Sequence, residues 1–180
     1  LEASLGRLGV DCIELYYIHR RDQTVPIEEV TETLKGFVKE GKVKQIGYSE
    51  ISPSSLNRAS SIHNIAAVQS EYSLSTRYPE LGLIQQLKNL NATLVAFSPL
   101  GRSLLTDKPH SFAKAQSLNL LKENPRFLEP NLSYNIKLTN KFRKLASSYN
   151  MSAAELALSW LLNKDDSIIP IPGTRSSGHL

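Results

Sequence analysis

IELYYIHRRD, residues 13–22, decides how the rest of the chain is read. Ile13, Leu15, Tyr16, Tyr17 and Ile18 form a nearly continuous apolar, β-prone run, the pattern of a strand buried on both faces. His19, Arg20, Arg21 and Asp22 follow at once. A histidine at the exit of a buried strand is either a satisfied core residue or a side chain placed there for chemistry. The ends of the other strands decide between the two.

Working outward, the first strand reads as Cys12–His19. A helix follows, with Thr24 expected as N-cap, Pro26 in the first turn and Glu28 and Glu29 at the positive end. Ile27, Val30, Leu34, Phe37 and Val38 make its apolar stripe, and Gly41 suits its stop. Further strands are expected at Val43–Glu50, Ile65–Ser73, Thr93–Gly101 and Ser167–Gly173. Between them lie a helix capped by Ser52 with Pro53 at its first position, and one opened by Pro79 with Leu83, Ile84, Leu87 and Leu90 facing inward. Two more span Ile136–Tyr149 and Ala153–Asn163, the second with a capping box, Ser152 and Glu155. Residues 102–134 read as a long, less regular segment, too long for an idle connection.

This β/α alternation fits a (β/α)8 barrel or a doubly wound open sheet. No strand is followed by G-x-G-x-x-G or a P-loop, which argues against the usual nucleotide-binding open sheets. Every strand ends in polar candidates instead: His19, Ser49 with Glu50, Gln69, Ser98, and Thr174 with Arg175. In a barrel all of these ends share the catalytic face. Five strands are too few to close one. The expectation is therefore an α/β fold, an incomplete (β/α)8 barrel covering about strands 4–8, in one domain over residues 1–180.

Bulk properties agree. The chain of 180 residues is 41% hydrophobic and 21% charged, with net charge +4. That is a globular composition, without the like-charge runs of a nucleic-acid arm. Cys12 stands alone, so neither a disulfide framework nor a cysteine-based zinc site is expected, which suits a reducing, cytoplasmic setting. The four histidines lack metal-ligand spacing. No apolar run is long enough to span a bilayer, and the first residues lack signal-peptide character. LEASLGRLGV reads as part of an amphipathic helix with Leu1, Leu5 and Leu8 on one side, and both ends of the chain look cut.

Five stretches, in order, carry a resemblance: SLGRLGVDCIELYYIHRRD, VKEGKVKQIGYSE, AAVQSEYSL, LVAFSPLGRS and IPIPGTRS. Together they resemble the aldo-keto reductases, most closely the members with YIHR and GTR segments. The resemblance implies a (β/α)8 barrel that binds NADPH and reduces small-molecule aldehydes or ketones by hydride transfer. The family uses an Asp, a Tyr, a Lys and a His, and only the His has a counterpart here, His19. It also implies that Ser49, Glu50 and Gln69 meet the nicotinamide carboxamide. Phe97 would stack on the nicotinamide ring. Ser98, Leu100 and Arg102 would contact the diphosphate, and Thr174 and Arg175 the 2′-phosphate. Many members have Asn where Glu50 stands. Residues 102–134 resemble the family's variable covering loop, with Phe112 and Phe127 as pocket or lid candidates.

Two rivals accompany this reading. The potassium-channel β subunits share the fold and bind nucleotide while acting mainly as regulatory partners. A truncated, inactive product is the other. No nucleic-acid or membrane partner is expected. Tyr16 and Tyr17 are no substitute for the missing acid, since both lie within the strand. His63 and His110 are expected at the surface or at helix ends, Trp160 in helix packing, and Asp165 and Asp166 in a polar turn.

Overall fold

Five strands lie side by side in chain order: β1 (Ile13–Ile18), β2 (Val43–Ser49), β3 (Ala67–Glu71), β4 (Thr93–Phe97) and β5 (Ile168–Ile171). The computed structural model describes residues 1–174 and 177–179. β1 to β4 are parallel, with Tyr17 opposite Gly47, Ser49 opposite Gln69 and Glu71 opposite Phe97. Parallel neighbours need crossovers. These contain α2 (Ile27–Lys39), α3 (Pro53–Ser60) and α4 (Leu83–Leu90), while α1 (Glu2–Leu8) precedes β1. Between β4 and β5 come α5 (Phe112–Gln116), α6 (Asn131–Ser148) and α7 (Ala153–Leu162). Contacts divide the chain into two compact units: residues 1–71, 77–97 and 167–169, and residues 72–76, 98–166 and 170–180.

In the first unit the strand period of two separates the faces of the sheet. The Tyr48 hydroxyl meets Thr31 Oγ1 of α2 at 2.8 Å, which sets the helix-covered face of β2. Thr31 donates its proton to the Ile27 carbonyl at 2.6 Å, so the phenol is the donor in that pair. By register Val68 and Leu94 share this face, and both are buried. The opposite face carries Tyr17, Gly47, Ser49, Gln69, Val95 and Phe97.

Several local expectations change. Thr24 does not cap α2: its N–H and hydroxyl both donate to Asp22 Oδ1, at 2.9 and 2.7 Å. The helix starts after Pro26, whose extended ψ of 136° excludes an earlier start. Leu8 does not share the buried face of α1, being 63% exposed while Leu5 is buried. Pro79 opens a short 3-10 turn, Tyr78–Glu80, and α4 begins only after Gly82, at φ 117°. Leu83 and Leu87 are its buried residues. Ser52 caps α3 as expected, accepting from the Ser55 N–H at 3.2 Å.

In the second unit residues 102–134 are more ordered than their sequence suggests. Leu104, Ala115, Leu121, Phe127 and Leu132 form a small core, with Leu118 and Ile136 against it. Phe127 is therefore buried packing, whereas Phe112 is 44% exposed. α6 starts at Asn131, ahead of the expected Ile136. Arg143 of α6 donates to the Leu104 and Thr106 carbonyls, each at 3.2 Å, and to the Ile136 carbonyl at 2.8 Å. The capping box of α7 is present: Ser152 Oγ accepts from the Glu155 N–H at 3.2 Å, and Glu155 Oε2 accepts from the Ser152 N–H at 2.7 Å. Trp160 packs against Tyr72, ring centres 5.5 Å apart. No helix among the described residues is long and apolar enough to cross a membrane. Nor is there a group of three or more His, Cys, Asp or Glu among them that could hold a metal ion.

Candidate active site

His19 is the first residue beyond β1, one step past the Ile18–Tyr48 pair, and is exposed. Two residues back, the Tyr17 ring lies against Gly47. A Cβ on Gly47 would sit 2.6 Å from Tyr17 Cε1 and 2.9 Å from the Ala67 carbonyl oxygen. Only a residue without a side chain lets the ring lie there. Burial pushes the Tyr17 phenol above its ordinary value, the wrong direction for a proton donor working near neutrality.

Arg20 has a role that no motif in the sequence signals. Its Nη1 donates to the His19 carbonyl at 2.6 Å and to Ser49 Oγ, at the end of β2, at 3.0 Å. Ser49 is buried. Arg21 donates to Ser55 Oγ of α3 at 3.0 Å. Hydrogen bonds from the Thr24 hydroxyl and amide hold the Asp22 carboxyl below its usual range.

Glu50 follows β2 with φ 53°, a left-handed conformation. Its N–H donates to the Gln69 carbonyl and its Oε1 accepts from the Glu71 N–H, both at 2.9 Å. One carboxylate oxygen thus clamps the end of β3. The Gln69 side chain is half-buried, on the same face as Ser49, and its amide has no hydrogen-bonding partner among the described residues. Phe97, also half-buried, ends β4 opposite Glu71. His19, Ser49 and Phe97 therefore stand at the carboxyl ends of their strands, and Gln69, paired with Ser49, lies two residues before the end of β3.

The second unit carries Ser98, Leu100 and Arg102 on one loop. Ser98 (φ 51°), Gly101 (57°), Arg102 (54°) and Ser103 (90°) are all left-handed. A left-handed conformation costs a non-glycine residue roughly 1–3 kcal/mol and persists where the surroundings enforce it. Asn91 and Asn150 are left-handed too, but they end helices, where Asn is at home. The other non-glycine cases are Glu50, Ser98, Arg102 and Ser103. Three of these were singled out from the sequence as cofactor residues. Contacts around the loop hold it. The Gly101 N–H donates to the Ser98 carbonyl at 2.9 Å, the His110 N–H to Ser103 Oγ at 3.0 Å, and the Ala153 N–H to Asp107 Oδ1 at 3.1 Å. A Cβ on Gly101 would lie 2.6 Å from Ser75 Oγ. Thr174 is exposed, and Arg175 lies outside the described residues. His63 and His110 are half-buried, and burial, with Lys114 nearby, lowers the His110 imidazole below its ordinary value.

Residues 1–180 match the aldo/keto reductase family. The chain belongs to that family. It is 39% identical over 183 residues to the aldo-keto reductase yakc [NADP(+)] of Schizosaccharomyces pombe, covering 100% of this chain and 54% of that protein. It is 43% identical over 173 residues to the probable aldo-keto reductase 1 of Glycine max, covering 96% and 50%. Among solved structures, the glycerol dehydrogenase AKR11B4 from Gluconobacter oxydans superposes with TM-score 0.84 at 28% identity, over 98% of this chain and 54% of that one. A thermostable aldo-keto reductase, Tm1743, solved with the inhibitor epalrestat, gives 0.75 at 26% identity, over 99% and 55%. The chain spans about half the length of the curated relatives it matches. The five strands with their helices are part of a (β/α)8 barrel.

Proposed function

We propose that this chain is the part of an NADP-dependent carbonyl reductase that carries the site histidine and the cofactor-binding residues. The observation that supports it best is that His19, Ser49, Gln69 and Phe97 lie at or within two residues of the carboxyl ends of four neighbouring strands, on a chain that matches the aldo/keto reductase family throughout. The name of the fission-yeast relative, which includes NADP(+), favours that cofactor.

The donor set suits the proposed cofactor. The Ser49 oxygen already accepts from Arg20, so its own proton is directed to a further acceptor. The unpartnered Gln69 amide offers one donor group and one acceptor. Such a pair is complementary to a carboxamide. Phe97 supplies an apolar ring face beside them. In the second unit, Leu100 (φ −93°, ψ 17°) followed by left-handed Gly101 is the backbone order that builds an anion-binding concavity. Ser98, Leu100 and Arg102 are the proposed diphosphate contacts, with Arg102 adding positive charge, and the Thr174 hydroxyl is a candidate for the 2′-phosphate. When bound, NADPH supplies the hydride.

The role proposed for His19 follows from the charge that carbonyl reduction creates. Negative charge builds on the carbonyl oxygen, and a preorganised donor there lowers the barrier. His19, at the mouth of a rigid parallel sheet, orients that oxygen. The proton donor is assigned to none of the residues here, Tyr17 being disfavoured by its raised value.

Titrating NADPH into the full-length protein, followed by protein fluorescence, tests the cofactor. Turnover of simple aldehydes with NADPH tests the reaction. Saturable binding with turnover supports the reading; absence of binding overturns it.

A further inference from the structure

We infer that Arg20 is a positioning residue of this site. It rests on the function proposed above and adds a residue that the strand-end pattern does not reveal. One nitrogen, Nη1, donates both to the His19 carbonyl at 2.6 Å and to the Ser49 hydroxyl at 3.0 Å. The two acceptors belong to neighbouring strand exits, and Arg20 and Ser49 are 29 residues apart in sequence.

The chemistry gives this bridge two consequences. Arginine stays charged at every working pH, and its planar head holds donors in fixed directions. The distance from the His19 backbone to Ser49 is thereby set by one rigid group. Second, a hydroxyl that accepts from a cation is polarised, and its own proton becomes a better donor. Ser49 is only 5% exposed while Arg20 is exposed, so solvent screens part of that effect. Arg20 therefore couples the residue that orients the substrate oxygen to the residue proposed to hold the carboxamide. It touches neither reacting atom.

Glu50 repeats the device one strand further on. Its Oε1 accepts the Glu71 N–H at 2.9 Å, joining the exit of β2 to the end of β3. The left-handed φ of 53° turns the chain at that point. Two charged side chains thus link three successive strand exits. Arg20 is the link that bears on His19, and the one to test.

The test uses the full-length protein with Arg20→Met, Arg20→Lys, Ser49→Ala and the Met/Ala double variant. Turnover of a simple aldehyde, NADPH affinity by fluorescence quenching and the melting temperature are measured for each. Arg20→Met is expected to lower kcat about tenfold, the scale of one charge-assisted hydrogen bond. It should also weaken NADPH severalfold, with melting little changed. Arg20→Lys should recover part of both losses. The double variant should be no worse than the poorer single one, because both substitutions break the same contact. Unchanged kcat and affinity in Arg20→Met would overturn the role. So would fully additive losses in the double variant, or a kcat that merely follows melting temperature across the Met and Lys variants. If the unsubstituted protein neither binds NADPH nor reduces aldehydes, the functional reading itself falls and takes the inference with it. Wild-type activity with an indifferent Arg20→Met removes the inference alone.

Discussion

Gly47 lies on the sheet face opposite the helices and has no room for a side chain. A methyl group there would press on the Tyr17 ring at 2.6 Å and on the Ala67 carbonyl oxygen at 2.9 Å. Neither yields easily, since one is a packed aromatic ring and the other is backbone. Gly47→Ala should therefore cost about 1–3 kcal/mol, the usual range for overpacking, read as a lower midpoint in urea denaturation of the full-length protein. An unchanged midpoint would mean that Tyr17 does not rest on Gly47. His19 and Ser49 were legible as candidates because a polar residue ending an apolar strand stands out against its neighbours, and Gln69 as a polar residue that the structure places within β3. Arg20 and Glu50 were not legible in their bridging roles. Their partners, Ser49 and Glu71, are 29 and 21 residues away, and strand periodicity says nothing about such pairs. Ser98 was legible as a candidate at a strand end, Arg102 only through the family resemblance. Their left-handed conformations run against local preference and show in no propensity.

At the scale of elements, local signals succeeded where one contact decides the outcome. The box at α7 needs only Ser152 and Glu155 in the right spacing. Its bonds to Ser152 hold the Glu155 carboxyl below its usual range. The unfolded carboxyl binds a proton at higher pH than the folded one. The contribution is thus complete above the ordinary glutamate range near pH 4.3, and is lost as pH falls through the lower folded value. Glu155→Gln should flatten that acid limb in a pH series of thermal melts. A limb of unchanged slope would contradict the assignment. Thr24 failed as a cap because Asp22 competes for its hydroxyl and amide, a choice the sequence leaves open. In the second unit, Arg143 joins α6 to the carbonyls of Leu104 and Thr106, just beyond Arg102. Arg143→Met should weaken NADPH binding by about tenfold, the scale of lost charged hydrogen bonds, with little change in kcat. Fluorescence titration checks the first expectation and steady-state kinetics the second.

For the whole molecule, the β/α order was readable from alternation alone, whereas the burial on both faces expected from the apolar runs does not hold for β1, none of whose residues is buried. The packing of residues 102–134 was not. Its core of Leu104, Ala115, Leu121, Phe127 and Leu132 is assembled from irregular turns without periodicity. The sheet runs from β1 to β5, so both are edge strands, and Ile169 and Ile171 of β5 are 52% and 43% exposed. Exposed edges and apolar strand residues favour association between chains. The 180-residue chain prepared alone should accordingly bind a hydrophobic dye and self-associate in sedimentation. Monomeric, dye-free behaviour would contradict this. It should also show no reductase turnover, because none of its residues is assigned as the proton donor of the proposed reaction.

The central claim is that His19 orients the carbonyl oxygen in an NADP-dependent reduction. The direct measurement compares the full-length protein with its His19→Ala variant, recording kcat for a simple aldehyde and NADPH affinity on the same preparations. The account predicts a loss of kcat of about 100-fold, within the range for an acid–base or oxyanion-stabilising group, with NADPH affinity nearly unchanged. Equal losses of turnover and cofactor affinity, or turnover that survives the substitution, would contradict it.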